Sequence, residues 1–190
     1  MNHLSDEELM AHCALGSRCA MDVLVTRYHG KLLDFAFRHL RDRETAADIA
    51  QTTLITVFER AASYQATASF KTWLYTIALN RVRDDYRKRK TRRELLSSQI
   101  EDTENVIEIA VDSNQSPENA IFDKVNASLV WDAIDELQEN YKSALILRFR
   151  HELTYEEVAV VMGTSSGTVK SWIHYALKKL RKSPDLQSED

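Results

Sequence analysis

Between Arg93 and Glu94 the charge of the chain inverts, and no other feature limits the possible folds as much. Residues 71–93 carry nine Lys or Arg (positions 71, 81, 83, 87, 88, 89, 90, 92 and 93) against Asp84 and Asp85. Residues 94–123 carry no Lys or Arg and eight acids, among them Glu101, Asp102, Glu104, Glu108 and Asp112, and are interrupted by "DSNQSPE". A run of that composition suits a solvated, extended connector better than a packed element. The chain is therefore expected to form two bodies, one on each side of an acidic strap. With 190 residues, 44% of them apolar, each body can bury a modest core.

Both bodies read as helical. Four Gly and two Pro leave few sites for hairpin turns. Ser5 with Glu8 forms a capping box that starts a helix through Leu9 and Ala14. A second helix follows Ser17, with Ala20, Leu24, Tyr28, Leu32, Phe35 and Leu40 at helical spacing. A third runs from Glu44 to about Ala62, with an expected buried stripe of Ala47, Ala50, Leu54, Val57, Phe58 and Ala61. "YQATAS", residues 64–69, breaks the period as a short loop, and Phe70 to about Arg93 resumes as a long helix. Beyond the strap, 125–138, 141–150, 155–162 and 166–182 read as four helices of a second small bundle. The fold class is all-α.

Two stretches carry chemistry. In the second bundle Thr154 can cap "YEEVAVVM", Gly163 sits where the chain must reverse, and Ser165 can cap the next helix. Val169, Trp172, Ile173, Ala176 and Leu180 face inward, leaving Ser166, Lys170, Ser171, His174 and Lys178 outward. That pattern reads as a helix-turn-helix, a motif whose second helix enters the major groove of duplex DNA; the plainer alternative is the last amphipathic helix of a bundle, with Lys178, Lys179, Arg181 and Lys182 as a solvated end that complements its dipole. In the first bundle, Tyr64 and Phe70 flank a loop, and Asn80, Arg83 and Arg87 share one helical face. Aromatic faces beside a cation track are what capture of unstacked single-stranded bases requires. Trp73, Leu74 and Ile77 read as core.

Four ordered blocks, "LSDEEL", "LVTRYHGKLLDFAFRHLRD", "ASFKTWLYTIALNR" and "LTYEEVAVVMGTSSGTVKSWIHYALKKLR", resemble the bacterial extracytoplasmic-function sigma factors over residues 4–182. The resemblance implies a domain over 1–95 that binds core RNA polymerase and opens the minus-ten element, and an acidic linker over 96–123. It implies a domain over 124–184 that reads the minus-thirty-five element, followed by a tail over 185–190. The loop from Tyr64 to Lys71, Ser69 and Phe70 included, would hold a flipped base with Asn80, beside Arg83 and Arg87. Ser166, Lys170, Ser171, His174, Tyr175 and Lys178 would face the upstream duplex. Glu44, Asp48, Gln51 and Thr52 would meet the clamp of the polymerase beta-prime subunit. No cofactor is implied, and an anti-sigma factor or a Ser/Thr kinase is a natural controller.

Two departures from the family pattern stand out. Trp172, Tyr175 and Leu177 occupy positions where relatives usually carry Arg, which predicts fewer phosphate contacts and a flatter salt dependence. In "AADIAQTTLITVFER" the family usually has acids where this chain has Ala47 and Thr52. Phosphorylation of Thr52, or secondarily Thr53, would supply about −1.5 to −2 charge there. Glu44 with Asp48 unmodified is the simpler alternative.

A second class fits the groove-reading motif alone: a stand-alone helix-turn-helix regulator that binds a palindrome without polymerase. An enzyme fits least, since no phosphate-cradling glycine loop, nucleophile elbow or metal-ligand spacing is present. Cys13 and Cys19 are too few for a disulfide framework and read as reduced thiols. With no apolar run long enough to span a bilayer and a polar, acidic N-terminus, the expected location is the cytoplasm.

Overall fold

The structure, a computed structural model, describes residues 1–65, 68–97 (side chains to 92) and 131–181. Residues 98–123 of the acidic linker, the start of the helix expected over 125–138 and the tail lie outside the described residues, while residues 96 and 97, expected in the linker, end the long helix that begins at Phe70. Every described element is helical, as the sequence predicts.

The first module holds α1 (Asp6–Ala14), α2 (Arg18–Leu40), α3 (Arg43–Glu59), a short 3₁₀ turn (Ala61–Ser63) and α4 (Phe70–Ser97). Polar residues set the starts of the first three. Ser5 and Glu8 exchange both bonds of a capping box, Ser17 accepts from the Ala20 amide, and Asp42 from the Glu44 amide. Around Leu24, Leu32, Phe35, Leu74, Tyr75 and Leu79, all essentially without solvent exposure, α2, α3 and α4 close a core. In α3 the buried stripe is Ala46, Ile49, Ala50, Thr53, Leu54 and Val57. The sequence expectation for this helix was displaced: Ala47 is exposed and Phe58 is 44% exposed. The displacement has a physical reason, because Thr53 enters the core and a hydroxyl residue is easily read as outward-facing. Cys13 is buried on α1 and Cys19 exposed on α2.

The second module begins with a helical stretch over 131–135 and continues through α5 (Glu139–Leu145), a π-helical turn (Ile146–Arg150), α6 (Tyr155–Met162) and α7 (Ser166–Leu180). Its core is Leu145, Ile146, Leu147, Leu153, Val158, Val169 and Ile173.

The two modules are not independent beads. Their buried residues form one continuous cluster, and α4 packs along α6. The seam is polar at its centre. His39 on α2 is buried, with Nδ1 2.8 Å from the Phe35 carbonyl and Nε2 3.0 Å from the Ser143 hydroxyl. That pairing requires the Nδ1–H tautomer, so Ser143 donates to Nε2. Tyr75 and His151 meet at 2.8 Å between hydroxyl and Nδ1, both buried. Burial pushes both imidazoles down to about 4, so at neutral pH both are uncharged. Ion pairs ring this centre: Arg150 on Asp34 at 2.9 Å, Arg83 on Glu139 at 3.7 Å, and Arg41 on Asp135. Arg38 stacks on Trp131 with its guanidinium carbon 3.8 Å from the ring centroid.

Candidate nucleic-acid interface

The helix-turn-helix is built as its residues predict. Thr154 caps α6, accepting from the Glu157 amide at 3.1 Å while Glu157 Oε2 accepts from the Thr154 amide at 2.9 Å. Gly163 takes φ +68°, a left-handed conformation that any side chain would strain. Ser165 then accepts from the Thr168 amide at 3.1 Å and starts α7. Val169, Ile173 and Ala176 are buried, with Trp172 and Leu180 packed against the core at its edge. Lys170, Ser171, His174, Tyr175 and Lys178 are all exposed, Tyr175 by 57%, and Ser166 is half-buried. The rings of His174 and Tyr175 meet edge-to-face at 5.9 Å. The face expected to read duplex DNA is thus bare and continuous.

The loop that leads into α4 differs. Phe70 is 0% exposed and edge-on to Tyr28 at 5.3 Å, so its ring belongs to the core and offers no face to a base here. Tyr64 is half-buried, its hydroxyl donating to the Ala68 carbonyl at 3.1 Å. Its ring lies 5.1 Å from that of Trp73, which packs against the core as its spacing predicts and keeps one edge toward solvent. Tyr64 with Trp73, rather than with Phe70, is the aromatic pair within reach of solvent. Lys71 is half-buried and Asn80 exposed.

Two carboxylates from other elements occupy the start of α4. Glu7 Oε1 accepts from the Phe70 amide at 2.9 Å. Glu157 Oε1, from the helix-turn-helix, accepts from the Ser69 hydroxyl at 2.8 Å and from the Thr72 hydroxyl at 3.4 Å. Glu157 therefore serves two helices with one side chain, capping its own through Oε2 and clamping the start of α4 through Oε1. Burial alone would raise its pKa, but the bonds from Thr154, Ser69 and Thr72 outweigh that and hold it below the ordinary carboxylate value. Negative charge at a helix N-terminus is favourable, and here it sits on the loop that the sequence marks as a candidate strand-binding site.

The basic run is more paired than its sequence suggests. Arg81 donates to the Thr56 hydroxyl, Arg83 pairs with Glu139, Arg87 with Asp84, and Arg89 with Asp42 at 3.0 Å and with Asp85. Of these acids only Asp84 and Asp85 lie in the same run, so composition could not show the others. Lys88 and Arg92 are exposed.

On α3 the residues expected to meet the polymerase clamp are placed together. Glu44, Asp48 and Gln51 are exposed, and Thr52 is half-buried, its hydroxyl donating back to the Asp48 carbonyl at 2.8 Å. Ile55 and Phe58, 48% and 44% exposed, add an apolar patch to the outer side of this helix. Thr53 is 0% exposed with no partner for its hydroxyl among the described residues.

Comparison with known proteins places the chain in a family. Residues 24–92 match the family description Sigma-70 region 2, and residues 128–180 match Sigma-70, region 4. The chain is 32% identical over 180 residues to the RNA polymerase sigma-H factor of Pseudomonas aeruginosa, covering 94% of this chain and 93% of that protein. It is 30% identical to the ECF RNA polymerase sigma-E factor of Haemophilus influenzae over 174 residues, 91% of this chain and 92% of that one. The solved structure of the sigma factor RpoE of Bartonella quintana, in complex with the anti-sigma factor NepR, superposes with a TM-score of 0.65 at 25% identity. That match covers 87% of this chain and 96% of RpoE. The fold of CnrH, solved with the cytosolic domain of CnrY, matches with a TM-score of 0.67 at 24% identity over 96% of this chain and 99% of that one. Among the described residues no helix is long and apolar enough to cross a membrane.

Proposed function

The chain belongs to the extracytoplasmic-function group of the sigma-70 family, the promoter-directing subunits of RNA polymerase, and on that premise we propose how its surfaces divide the work. The exposed face of α7, with Lys170, Ser171, His174, Tyr175 and Lys178 and Ser166 at its start, reads the upstream duplex. The Tyr64–Lys71 loop, with Asn80, Arg83 and Arg87 along α4, captures the opened minus-ten strand, Tyr64 and Trp73 supplying the aromatic surface. Glu44, Asp48, Gln51 and Thr52 on α3 meet the polymerase clamp, with Ile55 and Phe58 beside them.

The observation that carries this reading is the contrast in access. In the closed chain the duplex-reading face is open, while the strand-capturing loop is held by Glu157 from the other module and Arg83 is tied to Glu139 across the seam. Core polymerase, by holding the modules apart, frees the second surface. The free chain then binds upstream duplex weakly and opened strands hardly at all. Run-off transcription with purified core enzyme tests it: RNA starting at a defined site with core plus chain, and none with the chain or core alone, is the expected outcome. Specific, tight binding to a palindromic duplex without polymerase would instead support the stand-alone regulator.

Two controls are proposed with it. Phosphorylation is assigned to Thr52, since Thr53 lies in the core and out of a kinase's reach in this fold. Core binding by the unmodified chain, Thr52→Ala and Thr52→Glu decides it: the glutamate variant alone binding tightly supports the switch, and tight binding by the other two removes it. An anti-sigma partner, of the kind bound to RpoE, would find an apolar cleft of about 260 Å3 between Trp131, Ile146, Phe149 and Leu177.

A further inference from the structure

A second, polar cleft of about 430 Å3 opens at the seam between the modules. Its size is within the range of about 300–1,000 Å3 usual for small-molecule sites. Lys31 and Asp34 from α2, Lys71 and Tyr75 from α4, and Arg150 and His151 from the second module line it. The cleft has a net sign. Arg150 and Asp34 neutralise each other through two contacts, at 2.9 and 3.4 Å. Lys31, whose ammonium lies 5.3 Å from the centroid of the Tyr28 ring, and Lys71 make no ion pair among the described residues, and the remaining acid in the lining is Glu152.

The second observation is on His151. The residue is 6% exposed, its Nδ1 is engaged by Tyr75, and its Nε2 has no hydrogen-bond partner among the described residues. A buried ring nitrogen left unpaired costs free energy that folds rarely tolerate without a ligand, ion or water to meet it. We propose that this cleft binds a phosphate-class anion, with the ammonium groups of Lys31 and Lys71 supplying the charge and His151, whose Nε2 has no accessible surface, turning its ring to donate a hydrogen bond. Two ammonium groups and an imidazole against one carboxylate favour a dianion with several acceptor oxygens over a single carboxylate. Because the lining comes from both modules, the bound anion ties them together in the arrangement that covers Ser69.

The electrostatics agree with such a ligand. Burial pushes His151 down to about 4; Asp34 opposes this, and the charges of Arg150, Lys71 and Lys31 add to it. Tyr75 and Glu152 are the other titratable groups of the lining. An anion beside the ring reverses the balance, so occupation draws a proton onto His151.

The test uses the full-length chain with sulfate and inorganic phosphate as probes, against chloride at constant ionic strength. The expected results are a saturable shift of the His151 imidazole resonances and a saturable rise in unfolding temperature. Sulfate, whose charge is constant over the range, binds more tightly at pH 5.5 than at pH 7.5. Lys71→Ala and Lys31→Ala each weaken binding about tenfold, while Lys88→Ala, an exposed cation on the same helix as Lys71, leaves it unchanged. His151→Gln keeps a donor and most of the affinity; should it fail to fold, the two lysine variants still decide. A phosphate response no larger than chloride's, or one equally strong in the Lys31→Ala/Lys71→Ala double variant, overturns the proposal. Ribose 5-phosphate and a single-stranded oligonucleotide separate the sources. Displacement of phosphate by the first identifies a free phosphate monoester and by the second the DNA backbone, and either supports the site. These readouts are of binding and stability, so they stand apart from whether the chain starts transcription.

Discussion

The start of α4 and the face of α7 are both expected DNA surfaces, yet the fold treats them in opposite ways. The α7 face projects Lys170, Ser171 and His174 into solvent, supported from behind by Val169, Ile173 and Ala176. The start of α4 is folded in: Phe70 in the core, its amide on Glu7, and Ser69 on Glu157. A surface for intact duplex can be displayed permanently, because groove reading needs only a rigid helix with free side chains. The end of a helix that starts at a loop carries orphan amides and hydroxyls, and in the closed chain Glu7 meets the Phe70 amide while Glu157 meets the Ser69 and Thr72 hydroxyls. On the proposed division of work, the duplex face is available in the closed chain and the α4 loop is not.

Acid should disturb this difference most. His39 and His151 are neutral in the seam, at about 4 against an ordinary 6.5. Between those values the unfolded chain binds protons that the closed chain does not. Stability is therefore full above about pH 6.5 and falls as pH drops toward 4, by up to about 3 kcal/mol for each histidine. Thermal unfolding followed from pH 7.5 to 4.5 checks the slope, and a flat profile would mean the seam histidines are solvated. Glu157→Ala comes next. It removes the clamp on Ser69 and half of the α6 capping box, costing about 1 kcal/mol of stability, while raising the free chain's affinity for a single-stranded minus-ten oligonucleotide. If strand affinity is unmoved, the α4 loop is not gated by the second module. Gly163→Ala should cost about 1 kcal/mol through its positive φ alone. It should weaken duplex binding without touching strand capture, as urea titration and gel shifts would show. The smallest effect is Lys170→Ala, which should lower the salt slope of duplex binding by about one unit and leave stability unchanged.

Much of this was readable along the chain because it is local. Ser5 with Glu8, Thr154 with Glu157, and Gly163 with Ser165 specify helix ends within four residues, and the structure realises each cap. The outward face of α7 followed from helical spacing alone. The α3 stripe is the part that spacing alone does not determine: packing against α2 and α4 buries Thr53 and leaves Phe58 exposed, selecting the face one residue earlier in the helix. The second role of Glu157 carried no signal at all. Within its own helix it is half of a capping box, and nothing in the spacing shows that its other oxygen meets Ser69, 88 residues away. Arg83 and the orphan Nε2 of His151 are of the same kind.

Helical periods, caps and the charge inversion after Arg93 are contained in the order of residues, since each depends on neighbours within a turn or two. Whether a carboxylate, an imidazole or an ammonium group is displayed, paired or buried depends on which helix lies across from it. That was settled by α4 packing along α6. Burial in that seam neutralises His39 and His151, and proximity across it places Glu157 on Ser69 at the start of α4, because desolvation and Coulomb attraction act through space and not along the chain.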